Sequence, residues 1–235
     1  MKISEIHFPD NVDVRAFESR EALTAHLSAL LRDQLSNAIK DKGRASLAVS
    51  GGSTPVPLFQ NLSQAELPWN KVSITLADDR WISPDKPDSN EKLLRTHLLQ
   101  GNARSADFIS LWQPGCSAEE AIEACQQRLS AIDGRLDVVI LGMGNDGHTA
   151  SLFPCAAELR AALSSTADCV AVNPTTAPYA RISLTPARLL NSELRILHIC
   201  GNDKLETLAQ ALTSTPESMP VSLFLQHPLI IYWAP

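Results

Sequence analysis

The sequence predicts an α/β fold in three layers, a mostly parallel sheet with helices on both faces. Two observations predict it. Short apolar runs alternate along the chain with amphipathic stretches that begin on helix-starting residues. Several of those runs are apolar almost throughout, as strands covered on both faces are, rather than alternating apolar with polar. Such an arrangement is Rossmann-like. With 235 residues, 44% of them apolar, the chain has the material for one domain over residues 1–235.

The elements follow in order. Ser19 opens a long helix whose Leu23, Leu27, Leu30 and Leu31 share a face, ending near Gly43. Ala45–Ser50 and Val72–Ala77 read as strands, and Ser89 precedes a helix over Glu91–Leu99. Ser117-Ala118-Glu119-Glu120 is a capping box opening a helix to about Ser130. Leu136–Leu141, Cys169–Val172, Arg181–Leu184 and Leu194–Cys200 read as further strands. Asp203 precedes a helix over Leu205–Leu212, and Leu229–Trp233 is the last strand. Pro-containing stretches at 84–87 and 174–178 read as loops, the kind of segment that lines sites.

Charge and composition exclude several functions. A formal charge of −6 speaks against a nucleic-acid partner and requires any anionic substrate to meet locally placed cations. Met1 to Asp10 has no long apolar segment after its one lysine, so no signal peptide is expected. No stretch approaches eighteen apolar residues, so no membrane span is expected. The cysteines, at 116, 125, 155, 169 and 200, form no C-x-x-C pair and read as free thiols of a cytoplasmic protein. Neither a metal nor an organic cofactor is expected, and the chain is expected to be a monomer or weak homodimer.

Four stretches carry chemistry. The first, Ser50-Gly51-Gly52-Ser53-Thr54-Pro55, runs from a strand through a glycine turn into a helix. Ser53 or Thr54 suits the N-cap and Pro55 the first helical position, so the backbone N–H groups there form a candidate phosphate cradle. It is no Walker loop, because the G-K-[ST] ending is missing. In the second, Asp78-Asp79-Arg80 ends a strand; alternation puts Asp78 and Arg80 on one side and Asp79 on the other. The third is the turn Gly142-Met143-Gly144-Asn145-Asp146-Gly147-His148, where His148 is a candidate base and Asp146 its orienting carboxylate. Its glycines match G-x-G-x-x-G, but Pro154 arrives where a dinucleotide-binding helix would have to run. The fourth is a pair of cations, Arg181 at the start of one strand and Lys204 just beyond the end of another. No G-x-S-x-G elbow is present, so water rather than a serine is the expected nucleophile.

Taken together, the stretches SGGSTP (50–55), LADDRW (76–81), PDSNEKLLRTHLL (87–99), LGMGNDGHTASLFP (141–154), RISLT (181–185) and GNDK (201–204) resemble the 6-phosphogluconolactonase family. They stand in that family's order and span most of the chain. The resemblance implies hydrolysis of 6-phospho-D-glucono-1,5-lactone, with His148, Asp146, Asp78 and Arg80 as catalytic residues. It implies that Gly51, Gly52, Ser53, Thr54, Asn90, Arg181 and Lys204 bind the substrate and its phosphate. The related glucosamine-6-phosphate deaminases are the rival reading. They carry Asp-Glu-Tyr where this chain has Asp78-Asp79-Arg80, and a glutamate where it has Phe153. A sugar-phosphate-binding regulator without catalysis is a second alternative; it would have no need of His148 and Asp146, which are both present.

Overall fold

The computed structural model describes residues 2–235. Among the described residues the strands are β1 (Val12–Ala16), β2 (Ala45–Val49), β3 (Val72–Leu76), β4 (Asp78–Arg80), β5 (Asp107–Ile109), β6 (Leu136–Leu141), β7 (Cys169–Val172), β8 (Arg181–Leu184), β9 (Ser192–Cys200) and β10 (Leu229–Ala234). The α-helices among them are α1 (Arg20–Lys42), α2 (Val56–Ser63), α3 (Asn90–His97), α4 (Ile122–Leu129), α5 (Leu159–Ser164), α6 (Pro186–Leu190), α7 (Asp203–Ala211) and α8 (Val221–Leu225).

Seven strands form one sheet in the order β1-β10-β9-β6-β2-β3-β5, with every neighbouring pair parallel. The central strands β2 and β6 are buried along their whole length, which is why they read as unbroken apolar runs. From β2 the chain moves outward to β3; from β6 it moves the other way, to β9. Right-handed connections running in opposite directions place their helices on opposite faces. The change of direction makes the crevice between β2 and β6 the topological switch point, where open parallel sheets bind ligands.

Helix α1 shows how the sequence sets a layer. Ser19 caps it by accepting a hydrogen bond from the Ala22 N–H at 3.1 Å, and Gly43 ends it at φ +79°. Leu23, Leu27, Leu31, Leu35 and Ile39, four residues apart, are buried against the sheet, where α1 meets β2, β6 and β10. The capping box at Ser117 and Glu120 also forms, but α4 begins only at Ile122 because the intervening residues make a turn.

Three expectations change. Cys169–Val172 and Arg181–Leu184 do not join the parallel sheet. As β7 and β8 they form a separate antiparallel sheet with β4, in the order β4-β8-β7. Neither Ser53 nor Thr54 caps α2, which starts one residue later than expected. A turn closed by the Val56 N–H on the Ser53 carbonyl comes first, and Pro55 occupies the cap position. The short strands β1 and β5 lie outside the stretches read as strands, and Asp78–Arg80, read as the end of the preceding strand, is a separate strand, β4.

Candidate active site

The two glycine turns after β2 and β6 meet across the crevice and open onto a cavity of about 540 Å³. The Ser50 N–H donates to the Ile140 carbonyl at 2.9 Å, which carries the β2–β6 pairing up to the turn itself. Gly51 is closely covered: a Cβ there would lie 2.0 Å from Asn90 Oδ1. Gly52 has φ +97°, a conformation open to glycine at no steric cost. Asn90 in turn donates from Nδ2 to the Asp78 carbonyl at 3.0 Å, so it braces the turn against β4 as well as lining the cavity.

In the turn after β6, one carboxylate oxygen organises the histidine. Asp146 Oδ1 accepts from the His148 backbone N–H at 3.1 Å and lies 2.5 Å from His148 Nδ1. With Nδ1–H donating to Asp146, His148 Nε2 carries the lone pair that takes a proton. Burial pushes the Asp146 carboxyl up, but the hydrogen bond and charge of His148 outweigh it and hold Asp146 below the ordinary carboxylate range. Gly144 makes the pair possible, since a Cβ there would lie 2.1 Å from His148 Cε1 and 2.7 Å from Asp146 Oδ1. The turn leads into a Thr149–Leu152 bridge rather than a helix, and the next helix is α5.

The strand β4 splits its carboxylates as alternation requires. Asp79 turns away from the cavity. It accepts from the backbone N–H groups of Arg80, Asn90 and Glu91 at 2.7, 2.7 and 3.0 Å, and from Ser89 Oγ at 3.2 Å. It therefore secures the start of α3, while burial pushes its carboxyl up to about 6 against the pull of those donors. Asp78 lines the cavity and accepts from Ser151 Oγ at 2.5 Å. Arg80 also lines it, and its Nη1 donates to the Asp88 carbonyl.

The small antiparallel sheet brings two cations face to face. Its register sets Arg80 directly opposite Arg181 and Asp78 opposite Ser183. Like charges opposite one another cost stability unless something negative lies between them. Arg181 is 5% exposed, and desolvation lowers its pKa despite the field of Asp78. Lys204, in the first turn of α7, enters the same cavity and donates to Asn145 Oδ1. Among the described residues, seven buried side-chain nitrogen or oxygen atoms lack a hydrogen-bond partner. Four of them, Ser50 Oγ, Arg80 Nε, Arg181 Nε and His198 Nδ1, belong to residues of this one cavity. Unsatisfied polar groups concentrated in a cleft mark a surface made for a polar ligand. Among the described residues no group of three His, Cys, Asp or Glu side chains is placed to hold a metal ion, and no helix is long and apolar enough to cross a membrane.

A family model described as glucosamine-6-phosphate isomerases/6-phosphogluconolactonase matches residues 18–233. The chain belongs to this family. Its curated relatives include the 6-phosphogluconolactonase of Pseudomonas aeruginosa, 40% identical over 238 residues and matched over 100% of both chains. That of Rhizobium meliloti is 40% identical over 231 residues, covering 96% of this chain and 100% of the relative. A crystal structure of a 6-phosphogluconolactonase from Shewanella baltica superposes with a TM-score of 0.94 at 43% identity, covering 97% of this chain and 100% of that one.

Within this family fold, every residue singled out from the sequence except Asp146 lines the cavity; Asp146 reaches it through His148. Residues not assigned to the site from the sequence line it too. Phe153 stacks on His148 with ring centroids 4.2 Å apart. Tyr179, at φ +71°, donates its hydroxyl to Asp88 Oδ2 at 2.9 Å. His198, on β9, is buried, which pulls its pKa down to about 4. Phe153 lies inside the LGMGNDGHTASLFP stretch and Tyr179 beside the 174–178 loop, so both were within reach of the motifs; nothing in the sequence around His198 pointed to it.

Proposed function

We propose that this chain hydrolyses 6-phospho-D-glucono-1,5-lactone to 6-phosphogluconate, the second step of the oxidative pentose phosphate pathway. The observation that carries the reading is the His148–Asp146 pair, joined at 2.5 Å in a cavity that also collects Arg80, Arg181 and Lys204 in an otherwise net-negative chain. Residues 1–235 act as one domain in the cytoplasm, as a monomer or weak homodimer.

In the mechanism, His148 Nε2 takes a proton from water, which attacks the lactone carbonyl. Asp146 keeps the ring in the productive tautomer and balances the imidazolium that forms. Arg80 and backbone N–H groups receive the negative charge that develops on the carbonyl oxygen. Protonated His148 then returns its proton to the departing ring oxygen. Asp78, anchored by Ser151 Oγ, holds sugar hydroxyls or the water. The 6-phosphate lies at the Gly51–Thr54 turn, with Arg181, Lys204 and the brace Asn90 around it. A lactone is already an activated ester, so this route needs no covalent intermediate.

The test is turnover on freshly generated lactone, corrected for spontaneous hydrolysis and run beside glucosamine-6-phosphate deamination. His148→Ala should lose roughly 10²–10⁴ in rate on the lactone. A folded His148→Ala protein with near-full turnover would overturn the mechanism, and deaminase activity in the wild type would overturn the substrate.

A further inference from the structure

We infer that Phe153 is a positioning residue, whose ring fixes the imidazole of His148 in the orientation from which it takes a proton. The inference rests on His148 acting as proposed above. The two rings stack with centroids 4.2 Å apart and planes 27° apart. Asp146 holds the His148 ring at Nδ1 alone, and one hydrogen bond at one edge leaves the ring free to swing about it. The Phe153 face removes that freedom. Its ring is 4% exposed and belongs not to the main core but to a small cluster with Ala156 and Val172. A large aromatic side chain set apart from the core and laid against the base serves the site more than the fold. The guanidinium of Arg181 also lies over the ring, 5.4 Å from its centroid, so one side chain ties the base to a cation of the cavity. When His148 becomes an imidazolium, the negative face of the ring attracts it, an interaction stronger in the charged state than in the neutral one.

The experiment has four arms. Phe153→Leu should lower kcat on the lactone by about 10-fold or more, the scale of a slight misplacement of a reacting group. Phe153→Tyr, which keeps the ring, should stay within about 3-fold of wild type. In a His148→Ala background Phe153→Leu should change kcat less than about 2-fold, because a residue acting through His148 has nothing left to act on. The fourth arm uses the unaltered protein: NMR resonances of the His148 ring protons should be shifted upfield by the stacked ring, and unshifted resonances would overturn the inference even if the variants do not fold. It is also overturned by a folded Phe153→Leu protein with near wild-type kcat, by a Tyr variant as impaired as the Leu variant, or by a Leu cost that persists without His148. Full turnover in His148→Ala would instead refute the proposed mechanism itself and leave the ring-current shift as an independent reading of the stack.

Discussion

Gly144→Ala isolates the geometry of the His148–Asp146 pair. Gly144 is not among the glycines with positive φ, so its backbone accepts an alanine without strain. The added methyl has no room, however. It would lie 2.1 Å from His148 Cε1, 2.2 Å from His148 Nδ1 and 2.7 Å from Asp146 Oδ1. Ordinary carbon contacts begin near 3.5 Å, so the imidazole must retreat by more than about 1 Å. A displacement of that size at a reacting group costs on the order of 10²-fold in rate. The two displaced side chains are 29% and 44% exposed and can relax into solvent, so the stability cost stays near the low end for overpacking, about 1 kcal/mol. Gly142→Ala is the matched control, because a Cβ there meets nothing within 4 Å. It projects into open space at the cavity, so it should raise KM rather than lower kcat. Steady-state kinetics on the lactone, with thermal melts of both variants, read the contrast. A folded Gly144→Ala enzyme with kcat within about 3-fold of wild type would show that the pair tolerates displacement, and the reasoning from contact geometry would be wrong.

Three other outcomes follow from the site. Arg181→Ala and Lys204→Ala should each raise KM for the phosphorylated lactone by about 10-fold or more, and narrow its preference over the unphosphorylated lactone, since each removes a charge-assisted contact; an unchanged preference in both would remove them from phosphate binding. Arg80→Lys keeps the charge but loses the planar fork, so kcat should fall by about 10-fold with little change in KM, and Arg80→Met should cost more; wild-type kinetics in both would reduce Arg80 to a brace for Asp88. His198→Leu should flatten the pH dependence of stability. Burial holds the native ring neutral down to about pH 4, whereas the unfolded chain protonates it near 6.5. Between those values the unfolded state binds the extra proton, so wild-type stability falls as pH falls, by about 3 kcal/mol in all. Denaturant melts at pH 7 and pH 4 measure the loss, and an equal loss in both proteins would show that His198 is not its source.

Much of this was legible because the decisive signals are local. Of the leucine face read on α1, Leu23, Leu27 and Leu31 are buried and Leu30 is half-buried. The Ser19 cap and the Gly43 stop of that helix each depend on a few neighbouring positions and formed as read. The same is true of Asp78 and Arg80 sharing one side of β4, and of His148 with Asp146 two residues away. What stayed hidden depends on distant partners. The run Arg181–Leu184 has the composition of a strand, but which sheet it joins is decided by pairing with β4 about a hundred positions earlier. The short strands β1 and β5 exist because parallel neighbours, β10 and β3, supply their hydrogen bonds, not because their own residues insist on it. Ser53 and Thr54 obeyed capping preferences on paper, yet the turn closed by Val56 came first.

The pairing of Arg80 with Arg181 shows why that hidden part matters for function. Read singly, each arginine is an ordinary strand residue in a chain with 20 basic side chains. Once β4 and β8 align antiparallel, the two guanidinium groups stand opposite each other, each with a buried Nε that has no partner. A fold selected for stability alone would put an acid across from one of them, as it puts Glu91 beside Arg95 on α3. The carboxylates of β4 itself are committed elsewhere: Asp78 to Ser151, and Asp79 to the start of α3. The positive charge of the pair therefore faces the cavity, where the proposed function has an anionic substrate meet it. Sequence located the parts of this arrangement; only the long-range register of a three-stranded sheet set two opposed cations in the cavity of the His148–Asp146 pair.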